Sequence, residues 1–306
     1  MTVISDKVPD LGHEKGGSKI MALYNDFKKN KNAVYLRTSL SFISLILFAV
    51  ATLFPIYFML ISSFGDPVEA GAVSYSLFPS KWTLGSFIFF FKFSPHSFRW
   101  IINSFIVAGV CTVTNVLFAG MAGYAFAKIR FKGNKFLFFL LLCAMMIPYQ
   151  VVQVPLYILV VNVFRIQNTY LALILPSVCG VYNIFLAKQF MSSLPTEIIE
   201  CAKIEGCNQL QIYFKIIFPL SKTVLAVMAI MTFMSNWNNF FWPFLVTNTM
   251  DMQTIQVGLK NFRFANTTYF SPMMAGATIS ALPMFILFFS LQKYFLQGVT
   301  VGAVKG

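Results

Sequence analysis

Charge is what this sequence lacks most. Only 11% of its 306 residues are charged, where a soluble domain carries about 25%. A water-facing surface cannot be built from so few charges, whereas a lipid-facing one needs almost none. Acidic residues are scarcest, ten in all. Histidine is nearly absent: His13 and His96 are the whole supply, which leaves a His/Cys metal site or a Ser/His catalytic pair almost nothing to be built from. The five cysteines (Cys111, Cys143, Cys179, Cys201, Cys207) are odd in number, have no metal-type spacing, and three lie inside apolar runs. They read as free thiols acting as small hydrophobes, so no metal site is expected. A phosphate loop is also missing. Gly12 and Gly17 precede Ser18-Lys19, but the lysine comes one place too late and no strand precedes it. That stretch reads as a flexible tail. No small-residue cleavage site follows the polar first 37 residues, so the first apolar run is expected to be an uncleaved anchor.

What is present is hydrophobicity: 58% apolar residues with 36 Phe, and a mean hydropathy of +0.72. Six windows contain no charge at all: Thr38–Gly65, Trp100–Ala127, Phe136–Phe164, Ile166–Ala187, Thr223–Met250 and Phe264–Gln292. They run from 22 to 29 residues, each enough for one helix of ~20 residues across ~30 Å of hydrocarbon and none enough for two. The alternating ~10-residue segments of a β-barrel are missing. The expected fold class is therefore an all-α membrane protein with six transmembrane helices, over 38–64, 101–127, 138–161, 169–187, 223–247 and 273–292.

The formal net charge of +13 raises nucleic acid as a partner, but a nucleic-acid binder gathers its cations on one folded face. Here they sit between apolar runs, as membrane orientation requires. With the N-terminus inside, the inner segments (1–37, 128–135, 188–222, 293–306) hold seventeen of the 23 Lys and Arg. The outer ones hold Lys81, Lys92, Arg99, Arg165, Lys260 and Arg263. Both termini are thus expected in the cytoplasm and nucleic acid is not a partner.

The 188–222 loop is too long for a plain connection. Thr196 can cap a helix whose first turn holds Glu197 and Glu200, favourable at the positive end of the helix dipole. Gly206 can end that helix in a left-handed conformation, and Asn208 with Gln211 can start a second through a capping box. Ile198, Ile199 and Ala202 give the first helix an apolar stripe suited to a partner's groove. A helix resting on lipid would instead carry Lys and Arg on its polar face, where this one has Glu197, Glu200 and Glu205 against Lys203.

These residues resemble the coupling motif of type I ABC importer permeases: Glu200-Cys201-Ala202, then Glu205-Gly206, Phe214 and Pro219. The usual motif has Ala where Cys201 stands and Asp where Glu205 stands. Further segments resemble the smaller permease subunit of maltose-type carbohydrate importers: Ala122-Gly123-Tyr124-Ala125-Phe126-Ala127-Lys128, Phe131-Lys132-Gly133, Ile147-Pro148, Pro155-Leu156-Tyr157, Trp237-Asn238-Asn239-Phe240, and Gly298-Val299-Thr300-Val301-Gly302-Ala303-Val304-Lys305-Gly306. The resemblance implies a permease core over 97–292 between a tail at 1–37 and one at 293–306. It implies a cytoplasmic coupling helix between spans four and five that meets an ATPase through Glu200, Cys201, Ala202, Glu205 and Gly206, with Lys305 and Gly306 as further contacts. The implied partners are a second permease subunit, two ATPase subunits holding ATP and Mg, and an extracytoplasmic sugar-binding protein. The chain itself would bind no cofactor and catalyse no reaction.

Helix rise of ~1.5 Å per residue puts Gln150 and Gln153 of span three level with Asn236 and Asn239 of span five and Thr278 and Ser280 of span six. Pro148 and Pro155 loosen span three near the same layer. One reading is a sugar path, with Tyr149 and Trp237 offering faces to pyranose rings. The other is interhelical hydrogen bonding, worth only ~0.6 kcal/mol per bond, with Trp237 and Trp242 in an aromatic belt. A gradient-driven carrier usually needs ionisable groups at mid-membrane, and the six windows have none. A membrane enzyme has no base at depth. An importer of a sugar phosphate or polyol remains an alternative within the same class.

Overall fold

The computed structural model describes residues 16–67, 77–79, 81–263 and 269–303, with side chains over 38–67, 77–79, 81–263 and 269–290. Lys305 and Gly306 lie outside the described residues. The chain divides into two compact units, Met1–Phe58 and Met59–Gly306.

Among the described residues the secondary structure is helical. Helix α1 covers Gly16–Ser63, so the helix begins well inside the segment expected to be a polar tail. Its apolar part, Thr38–Ser63, has no buried residue in its most apolar stretch, and Phe48 is 70% exposed. An apolar stretch exposed on all sides suits lipid as solvent.

In the second unit the elements are α2 (Gly85–Phe93), α3 (Ser97–Lys128), α4 (Asn134–Met145), α5 (Tyr149–Val163) and α6 (Tyr170–Ser192). They continue as α7 (Thr196–Ile204), α8 (Gln209–Leu220), α9 (Lys222–Trp237), α10 (Phe241–Val246), α11 (Ile255–Leu259) and α12 (Phe270–Ala303). Among the described residues, four stretches are long and apolar enough to cross a membrane: 38–63 of α1, α3, α6 and 270–290 of α12. Two bent pairs raise the number to as many as six.

The bends depart from the expected straight spans. Between α4 and α5 the axis turns by 97°. Pro148 stands there in extended conformation, where it cannot supply the N–H that would continue α4. Residues 150 and 153 therefore do not rise along the α4 axis, and the straight-helix depth assigned to Gln150 and Gln153 does not hold. Between α8 and α9 the turn is 82°. Helix α9 stops at Trp237, ten residues short of the expected end at 247, and α10 follows after a break. Helix α6 runs past Lys188 to Ser192. Lys188 is tolerated because its ammonium lies 4.6 Å above the Phe138 ring, a cation–π contact.

Packing is organised in three buried clusters. The first joins Tyr124, Ala187, Met191, Ile199, Ala202, Ile212, Tyr213 and Met228. In it Gly123 lets α3 touch α6: a Cβ there would overlap the Ala187 methyl and come within 2.9 Å of the Lys188 nitrogen. The second holds Cys111, Leu173 and Trp242; the third, Phe90, Trp100, Trp237 and Phe262. The 250–255 loop is locked onto the start of α3. Trp100 Nε1 donates to Met250 O at 2.6 Å, and Asn103 Nδ2 donates to Asp251 O and Gln253 O, both at 2.8 Å. A hydrogen bond from the Thr249 side chain, helped by Arg99, holds the Asp251 carboxyl below its usual range.

Candidate coupling surface and substrate path

Helix α7 is short and strongly delimited. Thr196 does not cap it; Pro195 occupies that position, and the Thr196 hydroxyl instead accepts from Lys128 Nζ at 3.3 Å. The same ammonium donates to Leu194 O at 2.5 Å, which pins the start of α7 to the end of α3. At the other end Gly206 has φ +83°. Its N–H reaches Lys203 O and the Cys207 N–H reaches Ala202 O, both at 3.0 Å, the paired bonds of a Schellman stop. Asn208 and Gln211 then form the anticipated capping box, each side chain accepting from the other's backbone N–H at 2.9 Å. Tyr124 OH donates to Gln209 Oε1 at 2.9 Å, tying the second helix to α3 as well.

Which face of α7 is free differs from the sequence expectation. Ile199 and Ala202, 2% and 5% exposed, are buried in the first cluster of this chain. The outward face is instead Glu197, Ile198, Glu200, Cys201, Glu205 and Gly206, with Ile204 86% exposed. A carboxylate-rich face with a projecting isoleucine is a surface that a partner can cover.

The proposed sugar-path residues fall in separate places. Tyr149 and Gln150 are exposed beyond the 97° bend, while Gln153 is buried. Trp237 is 1% exposed. Its ring is stacked on Phe233 at 5.6 Å and edged by Phe105 at 4.7 Å, and Nε1 donates to Ser280 O at 3.0 Å. It therefore has no open face in this conformation. Trp242, assigned by one reading to an aromatic belt, is equally buried and donates to Ala172 O at 2.9 Å. Asn239 Oδ1 accepts from Trp242 N, in the first turn of α10, at 3.3 Å.

Asn236 does reach a cavity. About 370 Å³ in volume, it is lined by Asn115, Ser177, Tyr182, Asn183, Thr232 and Asn236 among others, and it falls at the low end of ligand pockets, ≈ 300–1,000 Å³. Asn115 is its organiser. Its Oδ1 accepts from Gly180 N at 2.6 Å and from Asn183 Nδ2 at 2.9 Å, and its Nδ2 donates to Ser177 O at 2.5 Å. Asn183 Nδ2 also reaches Thr232 Oγ1 at 2.9 Å. Asn115 opens a π-helical turn in α3, a distortion that recurs at functional sites. A neighbouring cavity of about 330 Å³ is lined by Asn238, Gln256 and Ser280, with Gln256 Nε2 donating to Ser280 Oγ at 3.2 Å. Thr278 is buried without a hydrogen-bond partner. Among the described residues, no charged side chain lines either cavity.

Asn115, Ser177, Asn183 and Thr232 were not selected from the sequence. The signal was available, since an amide inside a charge-free window is the most polar group there. Asn183 stands only four residues from the end of its charge-free window, yet α6 runs on past Lys188 to Ser192, so Asn183 lies well inside its helix.

Comparison with known proteins bears on the whole chain. The arabinooligosaccharides transport system permease protein AraQ of Halalkalibacterium halodurans is 36% identical over 84% of this chain and 93% of its own length. The lactose transport system permease protein LacG of Rhizobium radiobacter is 32% identical over 66% of this chain and 74% of its own. The sn-glycerol-3-phosphate transport system permease protein UgpE of Escherichia coli O1:K1 is 28% identical over 86% and 95%. In fold, the chain superposes on one from a bacterial ABC transporter involved in the import of the acidic polysaccharide alginate. The TM-score is 0.71 at 20% identity, covering 94% of this chain and all of that one. Residues 115–301 match the family described as binding-protein-dependent transport system inner membrane component, and the chain belongs to that family.

Proposed function

We propose that this chain forms half of the transmembrane path of an ATP-driven importer for an uncharged sugar or oligosaccharide. Taking the α4–α5 pair as one span and α9 with α10 as another gives six, with α8 on the cytoplasmic side and both termini cytoplasmic, as the distribution of Lys and Arg favours. Helix α7, the Gly206 turn and α8 form the docking element for an ATPase subunit, through Glu200, Cys201, Glu205 and Gly206. Ala202 acts from beneath, as part of the packed base. Lys305 and Gly306 add contacts from the C-terminal tail. A second permease completes the path, two ATPase subunits hold ATP and Mg, and an extracytoplasmic binding protein delivers the solute. This chain binds no cofactor of its own.

The observation that carries the substrate class is the pair of cavities lined by amides and hydroxyls and, among the described residues, by no charged side chain. Such groups exchange hydrogen bonds with sugar hydroxyls, whereas a phosphorylated solute calls for Arg or Lys in the wall. The names of the AraQ and LacG relatives support the same reading; UgpE keeps sugar phosphate as the alternative. Uptake of labelled arabino-oligosaccharides, lactose and glycerol 3-phosphate by cells with and without this chain decides between them. A neutral saccharide should enter only when the chain is present. Chain-dependent entry of glycerol 3-phosphate alone would overturn the assignment.

A further inference from the structure

We propose that the cavity between the end of α3 and the start of α4 binds the phosphate of an anionic phospholipid. The cavity is about 700 Å³ and is lined by Lys128, Arg130, Asn134, Lys135, Phe136 and Thr196 among others, with no carboxylate in its wall among the described residues. Arg130, Lys132 and Lys135 are exposed, and none is paired with a carboxylate among the described residues. The floor is a built turn. Gly133 has φ +87°, and Asn134 Nδ2 donates to Ile129 O at 3.1 Å and to Phe126 O at 3.4 Å. Lys128, Arg130 and Lys135 line this one concave turn, and clustered cations favour an anion there.

A lipid fits this position better than a soluble anion. Helix α4, which leaves the cavity, has no buried residue at all, and Phe136, Phe139 and Leu140 are 67%, 62% and 55% exposed. Acyl chains can run along that bare apolar helix while the phosphate sits on Arg130 and Lys135, at the level where basic residues gain most from anionic lipid. Lys128 links the site to coupling, because its ammonium holds Leu194 O and Thr196 Oγ1 at the start of α7. An anion in the cavity competes for that ammonium, so lipid composition would bias how firmly α7 is anchored. This holds whichever solute is carried.

Native mass spectrometry of the full chain in its complex, in mild detergent, tests the site with added dioleoyl phosphatidylglycerol or dioleoyl phosphatidylcholine. The wild type should hold one phosphatidylglycerol per chain that phosphatidylcholine does not replace and that millimolar inorganic phosphate does not displace. Arg130→Gln with Lys135→Gln should weaken that one lipid roughly thirtyfold, from about fivefold per cation at an anionic surface. Lys222→Gln, an exposed cation away from the cavity, should leave it bound. Equal retention of the two lipids, displacement by inorganic phosphate, or unchanged binding in the double variant would each overturn the proposal. So would loss of ATPase subunits from the double variant with its phosphatidylglycerol intact, which would make the cavity a protein contact.

Discussion

Replacing Asn115 and Asn236 by leucine separates the two roles that amides can have in these spans. Asn115 is 1% exposed, and three of its bonds, to Gly180, Asn183 and Ser177, leave its own helix. At ~0.6 kcal/mol for each interhelical bond in a membrane protein, Asn115→Leu removes about 2 kcal/mol. Leaving the Gly180 N–H without its acceptor adds about 1–3 kcal/mol. The expected loss is roughly 3–5 kcal/mol. Asn236, by contrast, bonds only the Thr232 carbonyl of its own helix, at 2.9 Å, and faces the cavity. Asn236→Leu should therefore cost under about 1 kcal/mol of stability, within the range of a surface-type substitution, yet lower uptake. The readout is alkylation of Cys111, a buried thiol, followed by mass spectrometry of its peptide under conditions where labelling tracks opening of the bundle. Asn115→Leu should speed labelling at least tenfold, since 1.4 kcal/mol is tenfold. Asn236→Leu should label like wild type while transporting more slowly at equal membrane abundance. Equal labelling of wild type and Asn115→Leu, or equal destabilisation by both substitutions, would refute the division.

Two further outcomes follow from the same geometry. In a variant keeping Cys201 as its only thiol, made without the ATPase subunits proposed to cover it, an impermeant maleimide should label inside-out vesicles and spare intact cells; labelling from outside would reverse the proposed orientation. Trp237→Ala should destabilise the chain by about 3–5 kcal/mol, as for a large buried aromatic, and thermal unfolding in detergent should show it. A normal melt with lost uptake would instead make Trp237 a sugar contact.

Where the structure agrees with the sequence, the information was local. Gly206 and the Asn208–Gln211 pair act within a few residues of themselves, so backbone conformation and capping could be read from residue type alone. The apolar windows were equally legible, because burial in lipid requires long uninterrupted runs. Misreadings came from geometry that depends on distant partners. Nothing in Ile147-Pro148 states that the chain turns by 97° rather than kinking slightly. Ile199 and Ala202 looked like a free stripe because the residues that cover them, in the cluster with Met191 and Tyr213, come from other elements. Trp237 looked like a sugar platform for the same reason: Phe105 and Ser280, which enclose it, are far away in sequence. Lys188 ended a window on paper, although Phe138 allows its helix to continue.

The claim on which the proposed function depends most is that α7 and its Gly206 turn transmit ATP-driven motion. Gly206 sits at φ +83° with open space where a Cβ would be, so Gly206→Pro, which forces φ to about −65° and removes the N–H bonded to Lys203 O, breaks the turn itself. Glu200 is exposed, so Glu200→Lys reverses one charge of the docking face and touches no span. The measurement is recovery of the ATPase subunits with the tagged permease, together with sugar uptake, in membranes holding equal amounts of each variant. Both substitutions should leave the chain inserted and abolish or sharply reduce ATPase recovery and uptake. Wild-type recovery and wild-type uptake in both variants would contradict the account.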